Sequence, residues 1–135
     1  MPAPLPARHI GIPIARPFDA VYGFLAEPAN WPRWASGLGA MQRRPDGSWT
    51  ADQETGRVGI VFAPRNAFGV LDHSVTLPNG DIVRVPLRVV RNNDGSEVIF
   101  TLFRQPGMDD TAFERDAAWI AQDLAKLKTL LENDA

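Results

Sequence analysis

The chain has 135 residues, which fits one globular domain of ordinary composition, 44% hydrophobic and 22% charged. The formal net charge of −2 and the pI of about 5.6 argue against nucleic acid as the main partner, because phosphate binding depends on basic patches. Cysteine is absent, which excludes disulfides, thiol nucleophiles and thiolate metal sites.

The first residues carry no signal-peptide pattern. Residues 1–7 are rich in proline and lack a charged region followed by an apolar core, so they predict a flexible tail. No apolar run is long enough to span a bilayer. With cysteine absent, these features favour a cytoplasmic protein, in which residues 8–135 form a single domain.

A strand and two short helices are predicted next. Isoleucine alternates with other residues over 8–14, and Pro13, which cannot donate to a neighbouring strand, places this strand at a sheet edge. After Pro17, apolar residues recur with helical spacing. They are Phe18, Val21, Tyr22 and Leu25. This helix ends at Glu27, which precedes a proline, and a second short helix is predicted over 31–35.

Between residues 38 and 104 the helical spacing gives way to alternation, interrupted by turn pairs such as Asn79-Gly80 and Asp94-Gly95. Such pairs between short alternating runs are typical of hairpins, and connections this short exclude parallel crossovers. The pattern predicts an antiparallel meander of six strands, near 38–44, 48–54, 57–63, 68–77, 81–91 and 97–104.

The hairpin around residue 79 has two candidate registers. Changing from one to the other exchanges the side chains that the strand presents on its two faces. A two-residue turn would set the valines of the second strand beside polar residues. A three-residue turn over 78–80 would instead place Val83 opposite Val75 and Val85 opposite His73. We predict the three-residue turn, because it collects the apolar side chains on one face.

The last hairpin stays open, because both faces of residues 98–103 are apolar. One register would turn Thr101 inward, and the other would turn Arg104 inward. The arginines of the preceding strand are expected to face outward, with Arg88 able to pair with Asp72.

The last segment predicts a long amphipathic helix. Asp109 is a suitable N-cap, although Thr111 and Glu114 offer a competing capping box. Apolar residues then recur every three or four positions along roughly six turns. They are Phe113, Ala117, Ile120, Leu124, Leu127 and Leu131, and Trp119 and Leu130 widen the stripe. We expect this stripe to cover the sheet, because the sheet is the only large apolar partner available.

These elements and two stretches of sequence resemble the SRPBCC superfamily. Residues 14–25 followed by 30–34, which read Asn-Trp-Pro-Arg-Trp, look like the family's opening helices. Residues 100–108, running into Phe113 and Asp116, look like its closing strand and helix. The resemblance covers nearly the whole chain and implies an α+β, START-like helix-grip fold. In this fold a strand, two short helices and a six-strand meander precede a long C-terminal helix.

The resemblance also implies a cavity for a small apolar ligand between the long helix and the concave sheet. The superfamily mixes polyketide cyclases and aromatases, lipid and hormone carriers, and chaperone activators, so it specifies the fold far better than the activity. Combined with the predicted register, it indicates a set of pocket-lining side chains. The predicted ligand-binding residues are Trp31, Trp34, Phe62, Leu71, His73, Val75, Val85, Leu87, Thr101, Ile120 and Leu124.

His73 is the candidate catalytic residue. An imidazole in an apolar pocket could transfer a proton or bind a ligand oxygen. Alternatively, it is a structural histidine bonded to a backbone carbonyl. His9 lies on the face opposite the isoleucines and is expected to face solvent. Two histidines without cysteine predict no metal site, and the lack of a glycine-rich phosphate loop or dinucleotide fingerprint predicts no cofactor.

Three functions fit these features. The first is binding of a small hydrophobic ligand of aromatic or polyketide-like character. The second is a cofactor-independent cyclase or dehydratase-like enzyme, with His73 as the acid-base group and Thr101 or Arg104 holding an oxygen. The third is a protein-interaction module or a homodimer. An exposed apolar outer sheet face around Val98, Phe100 and Leu102 would favour this third function.

Overall fold

The computed structural model describes residues 3–133 and has the predicted α+β architecture. The strands are β1 (Ala7–Ile14), β2 (Gln42–Arg43), β3 (Trp49–Gln53), β4 (Gly56–Phe62), β5 (His73–Thr76), β6 (Ile82–Val85), β7 (Leu87–Asn92) and β8 (Gly95–Phe103). The helices are α1 (Phe18–Leu25), a short 3-10 helix (Pro28–Arg33) and the C-terminal α2 (Asp110–Asn133).

The N-terminal elements follow the predicted pattern with shifted boundaries. β1 begins at Ala7, one residue earlier than expected, and lies at a sheet edge as Pro13 predicted. The apolar face predicted for α1 is buried. The second helix is displaced from the predicted 31–35, because Pro28 opens it and the Glu27 side chain accepts from the Ala29 N–H.

The strands form two hydrogen-bonded sheets, in the orders β1-β8-β7 and β2-β3-β4-β5-β6. The predicted strand 81–91 is split into β6 and β7 at Pro86, which has no N–H to donate. Two backbone hydrogen bonds join the sheets across this break. Leu71 N donates to Leu87 O (2.8 Å), and Val89 N donates to Gly69 O (2.9 Å). The meander is therefore one curved surface.

The three-residue turn over 78–80 is confirmed. Val75 pairs with Val83 and His73 pairs with Val85, and Gly80 has a positive φ of 93°. The register turns His73 toward the concave side of the sheet.

The last hairpin takes the register that turns Thr101 outward. Val98 pairs with Val89 and is fully buried, so β8 directs its even-numbered side chains inward. Thr101 forms a hydrogen bond with the exposed His9 of the edge strand β1, and the distance between Thr101 Oγ1 and His9 Nδ1 is 3.0 Å. Val98 and Phe100 do not form the outer apolar face that would favour a protein-interaction module, because both residues pack in or against the interior core.

Helix α2 begins at the predicted cap, where Asp109 Oδ1 accepts from Ala112 N (2.8 Å). The predicted stripe is buried except for Ile120, which is half-buried. Trp119 does not widen the stripe, since the side chain is 49% exposed. Asp123 is instead buried on this face, at 8% exposure.

The main core lies between α2, the N-terminal helices and the concave sheet. It contains apolar residues from every one of these layers. They are Ile14, Phe18, Val21, Tyr22, Leu25, Trp31, Trp34, Leu71, Leu87, Val89, Val98, Leu124, Leu127 and Leu131. A smaller core of Ala51, Val58 and Ile60 lies under β3 and β4.

Candidate functional site

Four aromatic side chains meet in the interior, and we call them the aromatic cluster: Trp31, Trp34, Phe62 and His73. The Trp31 ring lies 4.9 Å from Trp34, 5.2 Å from Phe62 and 5.0 Å from His73, measured between centroids. The imidazole stands perpendicular to the Trp31 ring, at 87°. Such edge-to-face packing is favourable for aromatic pairs, so the 3-10 helix and the sheet hold one another here.

The His73 ring is neutral and its tautomer is set by the backbone. Nδ1 lies 3.0 Å from Leu71 O, and a carbonyl can only accept, so Nδ1 carries the proton. Burial lowers the pKa of His73, and this effect outweighs the opposing hydrogen bond to Leu71. The remaining nitrogen, Nε2, is therefore an acceptor and a potential base.

Trp31, in the 3-10 helix, and Trp34, directly after it, differ in their hydrogen bonding. Trp31 Nε1 donates to Leu25 O at 2.8 Å. Trp34, which is 3% exposed, has an Nε1–H with no hydrogen-bond partner among residues 3–133. A buried polar group without a partner is unusual in a native fold and calls for an explanation.

A cleft of about 560 Å³ opens between the N-terminal half of α2 and the β3–β4 turn. We call it the α2 cleft. It combines an apolar inner wall with a charged rim. The lining residues are Ser36, Gly37, Gln53, Glu54, Thr55, Arg115, Asp116, Trp119 and Ile120. Ile120 packs against the main core, so the inner wall of the cleft is continuous with the interior.

Asp123 bonds Ser36, one of the residues that line the α2 cleft. Its Oδ1 accepts from Ser36 Oγ at 2.6 Å and from Ser36 N at 3.2 Å, which ties α2 to the segment after the 3-10 helix. Burial raises the pKa of the Asp123 carboxyl, and the two bonds from Ser36 oppose this effect only in part. The spacing could have identified this residue, since Asp123 lies three positions after Ile120 and four before Leu127.

We expect Asp123→Asn to raise the melting temperature at pH 7. The amide oxygen can accept the same two bonds from Ser36 without burying a charge. The folded-state pKa of Asp123 lies above its ordinary value of 3.8. The protonated carboxyl therefore contributes its full stabilisation of the folded state below pH 3.8. The contribution falls as pH rises through the raised pKa. The advantage of the asparagine variant should therefore shrink as thermal unfolding is repeated from pH 7 down to pH 4.

Asp46→Asn is the matched control for this prediction. Asp46 accepts from Ser48 N (2.9 Å) and Ser48 Oγ (2.6 Å), the same pair of donors, but it is exposed and these bonds lower its pKa. Its contribution is present at neutral pH and is lost on acidification. We expect this variant to be less stable than the wild type at pH 7. Equal and same-signed shifts for the two variants would contradict the role assigned to burial.

The remaining predicted pocket residues divide between the core and its border. Leu71, Leu87 and Leu124 belong to the main core with the two tryptophans. Val85 is buried and Val75 is half-buried on the concave side. Their roles in ligand binding stay predictions.

Neither Arg88 nor Arg104 points into this interior. Arg88 faces outward and forms the expected pair with Asp72, through Nε to Oδ1 (2.9 Å) and Nη2 to Oδ2 (2.8 Å). Arg104 donates to Met108 O (2.8 Å) and bonds Asp110, so it braces the start of α2. Thr101, on the outer face, is excluded from the predicted site by the register of β8.

Neither a metal cluster nor a membrane-spanning helix is present in the described part of the chain. Residues 3–133 contain no group of three or more histidine, aspartate or glutamate side chains able to hold a metal ion. No helix in this range has the length and apolarity needed to cross a membrane.

Comparisons by sequence find no matching protein-family model and no matching curated protein. Solved structures are similar in fold. A START superfamily protein from Mycobacterium smegmatis matches with a TM-score of 0.68 at 12% identity, over 96% of this chain and 99% of that one. The protein XoxI from Bacillus cereus matches with a TM-score of 0.75 at 12% identity, over 93% and 94%.

DynU16, a protein of the dynemicin biosynthetic locus, matches with a TM-score of 0.73 at 15% identity, over 93% of this chain and 47% of that one. At these identities the likeness concerns the fold. The curved antiparallel meander, the two short helices and the long α2 packed on the concave side agree with it. The chain therefore has the START-like helix-grip fold.

Proposed function

We propose that this protein binds a small, planar, apolar molecule in the interior between α2 and the concave sheet, reached through the α2 cleft. The α2 cleft carries the proposal, because its inner wall at Ile120 adjoins the core that contains both tryptophans of the aromatic cluster. Ligand sites are concave and mostly apolar, with a few polar groups that fix orientation. The START superfamily neighbour of the same fold supports this assignment.

Binding is favoured over catalysis by the state of His73. Its Nδ1 is bonded to the backbone, and its pKa is lowered, so the ring has no proton to give at Nε2. General acid–base catalysis normally uses a group whose pKa lies near the operating pH. The aromatic rings around His73 serve packing and stacking on a planar ligand.

A cyclase-like activity is the second candidate, and the free lone pair of His73 Nε2 favours it. That nitrogen could accept a proton from an activated methylene group of a poly-ketone. The resulting enolate would attack a carbonyl carbon, and the proton would return to the new alkoxide. The structural neighbour DynU16 comes from a biosynthetic locus, which is compatible with this chemistry.

The binding proposal is tested with titration calorimetry and thermal shift, using tetralin and 1-tetralone as bicyclic aromatic probes and dodecanoate as a chain-like probe. We expect the bicyclic probes to bind and to raise the melting temperature. Ile120→Arg should abolish this binding, because the arginine side chain would occupy the α2 cleft at its inner wall. Ala121→Arg, on the exposed side of α2, should leave the binding unchanged. Failure of both bicyclic probes, or equal effects of the two arginines, would contradict the proposal.

The enzyme alternative is tested by His73→Gln and His73→Ala in the presence of a poly-ketone substrate. Loss of turnover with retained binding would support the base role, because neither replacement can accept the proton. Unchanged turnover in both variants would exclude His73 as the acid–base group.

A further inference from the structure

The inference concerns the indole N–H of Trp34 and rests on the proposed binding function. Trp34 is 3% exposed and belongs to the main core, yet its Nε1–H finds no acceptor among residues 3–133. Burial removes a donor from water, and without a replacement acceptor the loss of hydration is uncompensated. Trp31, three residues earlier and inside the 3-10 helix, has the ordinary arrangement, in which its indole N–H donates to Leu25 O.

Trp34 packs in the aromatic cluster and is close in sequence to the α2 cleft. Its ring packs 4.9 Å from Trp31 at 53°, within the aromatic cluster. Two residues later, Ser36 lines the α2 cleft and is bonded to Asp123. The unpartnered donor therefore belongs to a residue that packs in the aromatic cluster and lies two positions before a residue of the cleft lining.

We propose that Trp34 Nε1–H donates a hydrogen bond to a carbonyl or equivalent acceptor oxygen of the bound ligand. The ligand class is then a planar aromatic molecule that bears a ketone, quinone or similar oxygen, in preference to a pure hydrocarbon. A site with a buried donor discriminates against ligands that leave this donor unpaired. Trp34 is in this view the residue that selects oxygenated ligands, while the other aromatic side chains supply stacking surface.

The test compares 1-tetralone with tetralin, the hydrocarbon of the same ring skeleton, in the wild type and in Trp34→Phe. The ratio of the two affinities isolates the oxygen contact, because loss of indole volume affects both probes alike. We expect Trp34→Phe to weaken 1-tetralone about 3- to 10-fold relative to tetralin, as for one net hydrogen bond. Trp31→Phe is the matched control and should leave the ratio unchanged, since its N–H is already bonded to Leu25 O.

A second measurement is made on the wild-type protein and needs the variants only to assign signals. The chain has four tryptophans, so a nitrogen–proton correlation spectrum of the labelled wild-type protein should contain four indole signals, which single Trp→Phe variants assign. The Trp34 signal should move downfield on saturation with 1-tetralone and should not do so with tetralin. Binding of 1-tetralone with an unmoved Trp34 signal, or an unchanged affinity ratio in Trp34→Phe, would overturn the inference and leave the binding function intact. If neither probe binds, the binding function is contradicted and the inference falls with it.

Discussion

Gly69→Ala is expected to destabilise the protein by about 2–5 kcal/mol, combining left-handed strain with overpacking. Gly69 has a φ of +75°, and a Cβ there would lie 2.2 Å from Val89 O and 2.9 Å from Phe18 Cε2. The carbonyl cannot move freely, because the backbone of Val89 is bonded to Gly69 O. The substitution therefore pushes the backbones of Gly69 and Val89 apart at the point where the two hydrogen-bonded sheets are joined. Urea denaturation followed by circular dichroism measures the effect.

Gly47→Ala is the control that separates strain from crowding. Gly47 also has a positive φ, of +89°, but nothing lies within 4 Å of its ideal Cβ. We expect only the conformational cost there, about 1–2 kcal/mol. Equal losses at the two glycines would show that close contact with β7 contributes nothing.

Leu127→Ala is expected to cost about 2–5 kcal/mol of unfolding free energy, as for a large-to-small change in a core. Leu127 is fully buried in the apolar stripe of α2 and belongs to the main core. A cavity at this point loosens the helix that covers the sheet, since most of the stability of an amphipathic helix comes from its packed face. Thermal and urea unfolding both report the loss.

Leu130→Ala provides the comparison on the same helix. Leu130 lies three residues further along and is only half-buried, so the same truncation should cost about 1 kcal/mol or less. A loss at Leu130 as large as at Leu127 would mean that α2 packs on the sheet through a wider face than the structure shows.

Much of the fold could be predicted because local patterns and the tertiary arrangement agree. The stripe of α2 needs no partner to be recognised, since spacings of three and four define one helical face. The register over residues 78–80 follows from requiring one apolar face, and it correctly turned His73 inward. The hairpin ending in β8 could not be decided in this way, because both faces of residues 98–103 are apolar. The structure shows this register in the pairing of β8 with the edge strand β1, where His9 lies opposite Thr101.

The candidate site divides along a similar line. The aromatic residues and His73 could be proposed from the sequence, because their positions on strands and short helices follow from periodicity. Hydrogen bonds between distant segments could not. The Asp123–Ser36 contact joins residues 87 positions apart. The position of the 3-10 helix decides that the indole N–H of Trp31 meets an acceptor and that the indole N–H of Trp34 does not.

The amino-acid order by itself thus determined the α+β class, the helix that covers the sheet and the inward face of His73. Each of these depends on the period of apolar residues along one segment, and burial enforces that period. Only the tertiary structure decided that Thr101 faces outward, that Asp123 bonds Ser36 and that Trp34 keeps an unpaired donor. These features depend on which polar atoms approach one another when separate segments pack, and no local pattern encodes those distances.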